Sequence, residues 1–159
     1  MDMRRRDRQI TDIDAIKAII AQCDVCRVAV KDGEGLYIFP ISFGYCFDNE
    51  DKLTLYFHSA KEGRKVNAAK NTCEAAFEMD CGYELIETEG SACTYSCKYR
   101  SIVGNGVLSI AEDVEEKKRA LSLIMKNLSD KNFSFDDKAA ESVAVLKLSV
   151  SSFTAKAKL

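Results

Sequence analysis

The chain holds one histidine, His58, within the stretch YFHSAKEGRK at positions 56–65. A serine follows it directly, and a glycine and two adjacent cations, Arg64 and Lys65, follow within seven residues. Imidazole titrates near neutrality, so it can give or take a proton beside a reacting group. Cations in the first turn of a helix face the positive end of its dipole and are disfavoured by some tenths of a kcal/mol unless an anion sits there. Exposed first-turn amides with two cations therefore define an anion site, most naturally for phosphate. Ser59 stands three residues before Glu62, the spacing of a capping box, which explains those two residues and leaves the cations unexplained. His58 also has a purely structural reading, as a strand-end residue held by local hydrogen bonds. A strand end, a histidine and a basic turn together suit a phosphorylated cofactor with a planar ring.

The cysteines offer a weaker alternative. CDVC at 23–26 has the two-residue gap of zinc ligands, but CTYSC at 93–97 has a three-residue gap and supplies no second close pair, so a closed four-ligand site is not expected. A thioredoxin-like role for CDVC would need a βαβ setting that the chain lacks. Seven cysteines, an odd number, with Cys26, Cys46 and Cys73 in apolar strand-like positions, read as reduced small hydrophobes in a reducing compartment.

The elements that must position His58 follow from periodicity. Ile13, Ile16, Ile19 and Ile20 are spaced for a helix over 11–22, with Thr11 and Asp14 as its capping pair. Residues 25–30 read as a strand, DGEG at 32–35 as a turn and 36–45 as a returning strand, interrupted by Pro40. A proline removes a ladder donor, so that strand lies at an edge or opens its pairing, and opened backbone can face a ligand. After a turn at 47–52, LTLYFH alternates, with Leu53, Leu55 and Phe57 on one face and Thr54, Tyr56 and His58 on the other. A short helix over 63–70 and a strand over 72–79 follow. Cys81 to Tyr95 reads as an irregular excursion, and 97–110 as a strand broken at Gly104 to Gly106, glycines too few to make a phosphate loop. Asp113 to Leu128 is a helix with Val114, Leu121, Ile124, Met125 and Leu128 on one stripe and a Glu115–Arg119 pair, expected to cover the sheet. One or two strands close the chain. The order is α+β, mainly β, without βαβ alternation, in a single domain over 1–159.

Composition narrows the partners. Hydrophobic residues make up 47% and charged ones 30%, with one proline and eight glycines, as in a compact folded protein. A net charge of −2 offers no general attraction to nucleic acid or anionic membrane, so a small-molecule partner is expected. The arginines at 4–8 then read as a solvated end or a strap across a dimer. No apolar run approaches a membrane span and the basic start leads into no signal-like stretch, which points to a cytoplasmic protein.

The segments MRRRDRQI at the start, FPISFGY (39–45), LYFHSAKEGRKVNAAKN (55–71) and YRSIVGNG (99–106), in this order, resemble the flavin-binding split-barrel superfamily that includes pyridoxamine 5′-phosphate oxidase. Within it they resemble the nitroimidazole-reductase-like group associated with nitroimidazole antibiotic resistance. The resemblance implies an antiparallel FMN-binding split β-barrel with flanking helices and about six strands. It implies a homodimer with flavin at the subunit interface and a small-molecule substrate, with NAD(P)H as donor. Position by position, it implies that Pro40, Ile41 and Ser42 pass the flavin ring, and that Phe57, His58 and Ser59 follow the cofactor. Lys65 matches the phosphate-binding lysine, with Arg64 beside it. Tyr99, Arg100 and Ser101 match the segment that approaches the cofactor from the second subunit. His58 would orient the substrate or donate a proton. The arginine-rich substrate-phosphate signature and the proline-containing carboxyl-terminal motif of the oxidases proper have no counterpart in a chain ending TAKAKL, so pyridoxal phosphate synthesis is not expected. A flavin-binding sensor or carrier without turnover, or a haem- or deazaflavin-using relative, would keep the same fold.

Overall fold

The computed structural model describes residues 5–159, so Arg4 and the residues before it lie outside the described part. Seven strands form one antiparallel sheet in the order β3-β2-β6-β7-β8-β5-β4, where β2 is Cys26–Asp32, β3 Gly35–Ile41, β4 Gly44–Phe47, β5 Leu53–Ser59, β6 Cys73–Ile86, β7 Ser96–Ile110 and β8 Ala144–Lys158. An eighth, β1 (Gln9–Ile10), pairs with the far end of β8. The helices are α1 (Ile13–Ile20), α2 (Arg64–Lys70), α3 (Val114–Ser129) and α4 (Asp137–Glu141). The architecture is mainly-β α+β, an antiparallel split barrel with flanking helices, with eight strands where about six were expected. None of the helices is long and apolar enough to cross a membrane among the described residues.

The split follows from connectivity. β3 and β4 are opposite ends of the sheet, yet Ser42 and Phe43 alone separate them in the chain. That link reaches at most roughly 10 Å, so the sheet must curl until its ends meet. There the barrel is closed by covalent chain and not by a ladder. β4 pairs with Leu53 to Tyr56, so Phe57, His58 and Ser59 have β8 on one side and, among the described residues, no strand on the other. Phe57, His58 and Ser59, three of the residues expected to follow a cofactor, lie along this seam.

Inward-facing Val28, Phe39, Phe57, Phe77, Ile102, Leu146 and Leu148 fill the barrel, joined by Ile16, Ile19 and Ile20 of α1 and by Val66, Ala68 and Ala69 of α2. A fully buried side chain of this size contributes about 1.5–3 kcal/mol. A second cluster lies outside, where Ala120, Leu121 and Ile124 of α3 cover Tyr56, Val145 and Ala140. Tyr56 is therefore buried although it shares the outward face with His58; its hydroxyl donates to Glu116, which also pairs with Lys147.

Several local expectations are corrected. Asp12, not Thr11, caps α1, accepting from the Ala15 amide at 2.8 Å. Pro40 lies within an edge strand, the first of the two settings expected for it, while the strand read over 36–45 is split, the chain leaving the ladder at Ser42 and Phe43. Cys81 to Ile86 is strand, since β6 and β7 form a long hairpin paired down to Ile86 and Ser96, with a bulge between Cys81 and Glu84. Ladder bonds there override the mixed side-chain pattern. β7 runs unbroken through Gly104 to Gly106 and absorbs them as a register shift against β8. Glu115 pairs with Lys118, while Arg119 donates to the Cys46 sulfur. Leu128 is exposed because α3 outruns the sheet beneath it. The short α4 carried no apolar period long enough to announce it.

Candidate functional site

Along one border of the seam run Phe57, His58 and Ser59. Phe57 is wholly buried and Ser59 nearly so, both facing the barrel, whereas His58 points outward and is exposed. Among the described residues the His58 imidazole has no hydrogen-bond partner, so local bonds do not account for it. The other border is the end of β3, where Pro40 is exposed and Ile41 half-buried before Ser42 leads the chain away.

The start of α2 closes the site from the third side. Ser59 does not cap this helix. It ends β5 as a buried residue, and the N-cap is Gly63, which offers no side-chain cap and has φ +125°, a conformation that glycine alone adopts without strain. The first turn of α2 carries no acidic residue. Its two cations have different fates. Arg64 grips Asp32 with two hydrogen bonds of 2.7 and 2.9 Å, approaches Glu34 at 3.6 Å and lies 4.6 Å over the Tyr37 ring. Those bonds hold the Asp32 carboxyl down at about 2. Lys65 has no carboxylate partner among the described residues; its ammonium lies 5.8 Å from the centroid of the Phe39 ring, over β3. Two cations awaiting an anion are thus reduced to one. Arg64 is matched internally and anchors α2 to the β2–β3 turn.

Tyr99, Arg100 and Ser101 are not brought to this seam within one chain. Tyr99 pairs with Lys158 and His58 with Val145, thirteen residues apart on the continuous β8, or roughly 40 Å of strand at about 3.3 Å per residue. At that distant end the Tyr99 hydroxyl accepts from Arg8 at 3.3 Å, and the Arg100 guanidinium lies where a side chain on Gly82 (φ +65°) would stand.

Sequence reasoning missed two features. One is Asp32, which was read as a turn residue; its pairing with Arg64 spans 32 residues, and nothing local signals it. The other is an outer face on which exposed apolar residues stand among Lys31, Glu74 and Asn105. Ile38, Ala29 and Ala76 stand in register across β3, β2 and β6, flanked by Leu36 on β3 and by Val103 and Val107 on β7. Leu36 is 85% and Ile38 64% exposed, and the face holds a depression of about 510 Å³. The alternation of β3 announced this face, with Leu36, Ile38 and Pro40 together on one side.

The chain matches the family model described as pyridoxamine 5′-phosphate oxidase over residues 12–157. It belongs to that family. A family-related structure, a candidate 5-nitroimidazole antibiotic resistance protein from Bacteroides thetaiotaomicron, is 35% identical, with 94% of this chain and 86% of that one covered at a TM-score of 0.77. The fold recurs in an FAD- and haem-binding protein from Mycobacterium smegmatis (17% identity, 95% of this chain and 73% of that one, TM-score 0.78). It recurs again in a flavocytochrome from Azotobacter vinelandii (18% identity, 99% and 72%, TM-score 0.76). A search of curated proteins gave no match.

Proposed function

We propose that this family member is an FMN-dependent oxidoreductase that reduces nitroaromatic, nitroimidazole-type or similar small substrates, as a homodimer with NAD(P)H as electron donor. The observation that carries this reading is the start of α2: first-turn amides without a side-chain cap, no acidic residue, and Lys65 free of any carboxylate among the described residues, all beside the unladdered seam. These groups fit a flavin phosphate, which would take the first-turn amides and the Lys65 ammonium as its donors. Bound flavin would supply hydride and electron transfer at the seam.

The protein's own residues then have separable tasks. Arg64, held by Asp32, fixes the helix start that presents the amides. Pro40 and Ile41 end the paired part of β3, and Ser42 takes the chain out of the ladder, where its backbone can face a ring. Phe57 and Ser59 hold β5 to the barrel, leaving the His58 imidazole in the open, where a ring nitrogen can hold a proton for a substrate. Tyr99, Arg100 and Ser101 would reach the seam only from a second copy, and the apolar face of Leu36, Ile38, Val103 and Val107 is the surface that copy would cover. The likeness to the Bacteroides protein supports the choice of substrate class.

A second reading, a non-catalytic flavin or haem carrier in the cytoplasm, is favoured by the same exposed, unpartnered imidazole, a group suited to an axial iron ligand. The absorption spectrum of the purified protein separates them, because flavin gives near-ultraviolet and blue bands and haem a Soret band. Bleaching of the flavin bands by NADH or NADPH and their return on adding a nitroimidazole supports the enzyme. A flavin that neither donor reduces, or that a nitro compound does not reoxidise, leaves the carrier.

A further inference from the structure

Two thiols from distant parts of the chain converge outside the seam. The Cys23 sulfur donates to the Ile19 carbonyl at 3.3 Å, and the Cys81 sulfur donates to the same oxygen at 3.9 Å. Cys23 sits in the link between α1 and β2 and is 1% exposed, while Cys81 lies at the bulge of β6 and is only half-buried. The Ile19 carbonyl also accepts from the Gln22 amide at 3.1 Å, so both sulfurs gather on an already bonded carbonyl at the C-terminal end of α1. Burial, and then the neighbouring Cys81 thiol, push the Cys23 thiol well above its ordinary value, and the half-buried Cys81 is the sulfur that a solvent-borne oxidant meets first. Cys26 faces the core on β2, and Cys93 and Cys97 belong to the turn and start of the β6–β7 hairpin.

We propose that Cys23 and Cys81 are a peroxide-oxidised dithiol, closing a disulfide that ties the α1–β2 link to the β6 bulge. The half-buried Cys81 sulfur attacks one oxygen of hydrogen peroxide, the O–O bond breaks, and the first water leaves with the Cys81 thiol proton. Cys23 sulfur then attacks the Cys81 sulfenic acid, the S–O bond breaks, and the second water leaves with the Cys23 proton. One peroxide is reduced by two electrons and two thiols are oxidised to one disulfide. The bulge between Cys81 and Glu84 supplies local backbone slack for the sulfurs to meet. The inference needs no bound cofactor and stands apart from the proposed function.

The test treats the purified full chain with one equivalent of hydrogen peroxide, quenches in acid, blocks remaining thiols with N-ethylmaleimide and maps peptides without reductant. The expected result is a peptide joining residues 23 and 81, two mass units lighter than the sum of its reduced parts and restored by dithiothreitol. Cys81→Ser, whose hydroxyl can still donate to the Ile19 carbonyl, should fold and lose the linked peptide, as should Cys23→Ser where it folds. A link from Cys23 to Cys26, a link between Cys93 and Cys97 alone, or full N-ethylmaleimide labelling of Cys81 after peroxide would overturn the proposal.

Discussion

The two ends of β8 differ in what they lack. At the Val145 end, Asp32 locks Arg64, the Lys65 ammonium lies 5.8 Å from the Phe39 ring centroid, and among the described residues no strand pairs with the open side of Phe57, His58 and Ser59. At the Lys158 end the β6–β7 hairpin has the opposite character, with Tyr83, Leu85 and Tyr95 exposed and no helix laid over them. On the proposed function, one subunit would carry the two halves of a site at opposite ends of β8, and a two-fold partner would bring them together.

The strongest way to break that relation is to keep copies apart. Placing carboxylates on the apolar face with Ile38→Asp and Val103→Asp should leave the fold intact, since both positions are exposed, while burying unpaired charge in any dimer. Light scattering should then show a monomer, with flavin affinity lowered by roughly a hundredfold or more. A monomer that keeps its flavin would show that the Val145 end is complete alone.

Next in size is the contrast inside the α2 start. Lys65→Glu removes a charge-assisted contact and adds repulsion, and should weaken flavin mononucleotide binding by roughly thirty- to a hundredfold in a fluorescence titration. Riboflavin, which lacks the phosphate, should bind the mutant and the parent alike. Arg64→Gln should weaken binding less and lower thermal stability more, because it removes an internal anchor.

His58→Ala sharpens the comparison by separating chemistry from binding. Flavin affinity should be nearly kept, and kcat/KM for a nitroimidazole should fall roughly ten- to a hundredfold, as expected for loss of a general acid. Loss of flavin instead would make His58 a cofactor contact and not a proton donor.

The smallest effect is on acid stability. Asp32 is held at about 2 in the folded state against an unfolded value near 4, so between those values the unfolded chain binds more protons. Its contribution is present above about pH 4 and is lost as pH falls through about 2. Urea midpoints followed across that window should decline less steeply in Asp32→Asn than in the parent.

How much of this was legible depends on the range of the interaction. The strand alternation of 53–59, the DGEG turn and the apolar stripe of α3 are local patterns, and each was readable because period 2 and period 3.6 leave separate marks. The strand character of Cys81 to Ile86 was not, because ladder bonds to a segment ten or more positions away hold these residues while Tyr83, Glu84 and Leu85 are exposed in succession, leaving no alternation to read. In the site, His58 and the basic turn were legible by residue type. The distinction between Arg64 and Lys65 was not, because it depends on a carboxylate half a barrel upstream. The capping box at Ser59 and Glu62 was misleading for the same reason: burial of Ser59 at the end of β5 took it out of reach of the helix.

The position of β8 also has a consequence for how the molecule is made. β8 follows every other strand in the chain, yet it lies between β7 and β5 and also pairs with β1. Until it leaves the ribosome, the nascent polypeptide can assemble β3-β2-β6-β7 and β4-β5 as two separate pieces, each with a raw edge. Emergence of β8 would then join the two pieces into a barrel, and a chain stopped before Ala144 is expected to aggregate or be cleared while still carrying most of the core residues.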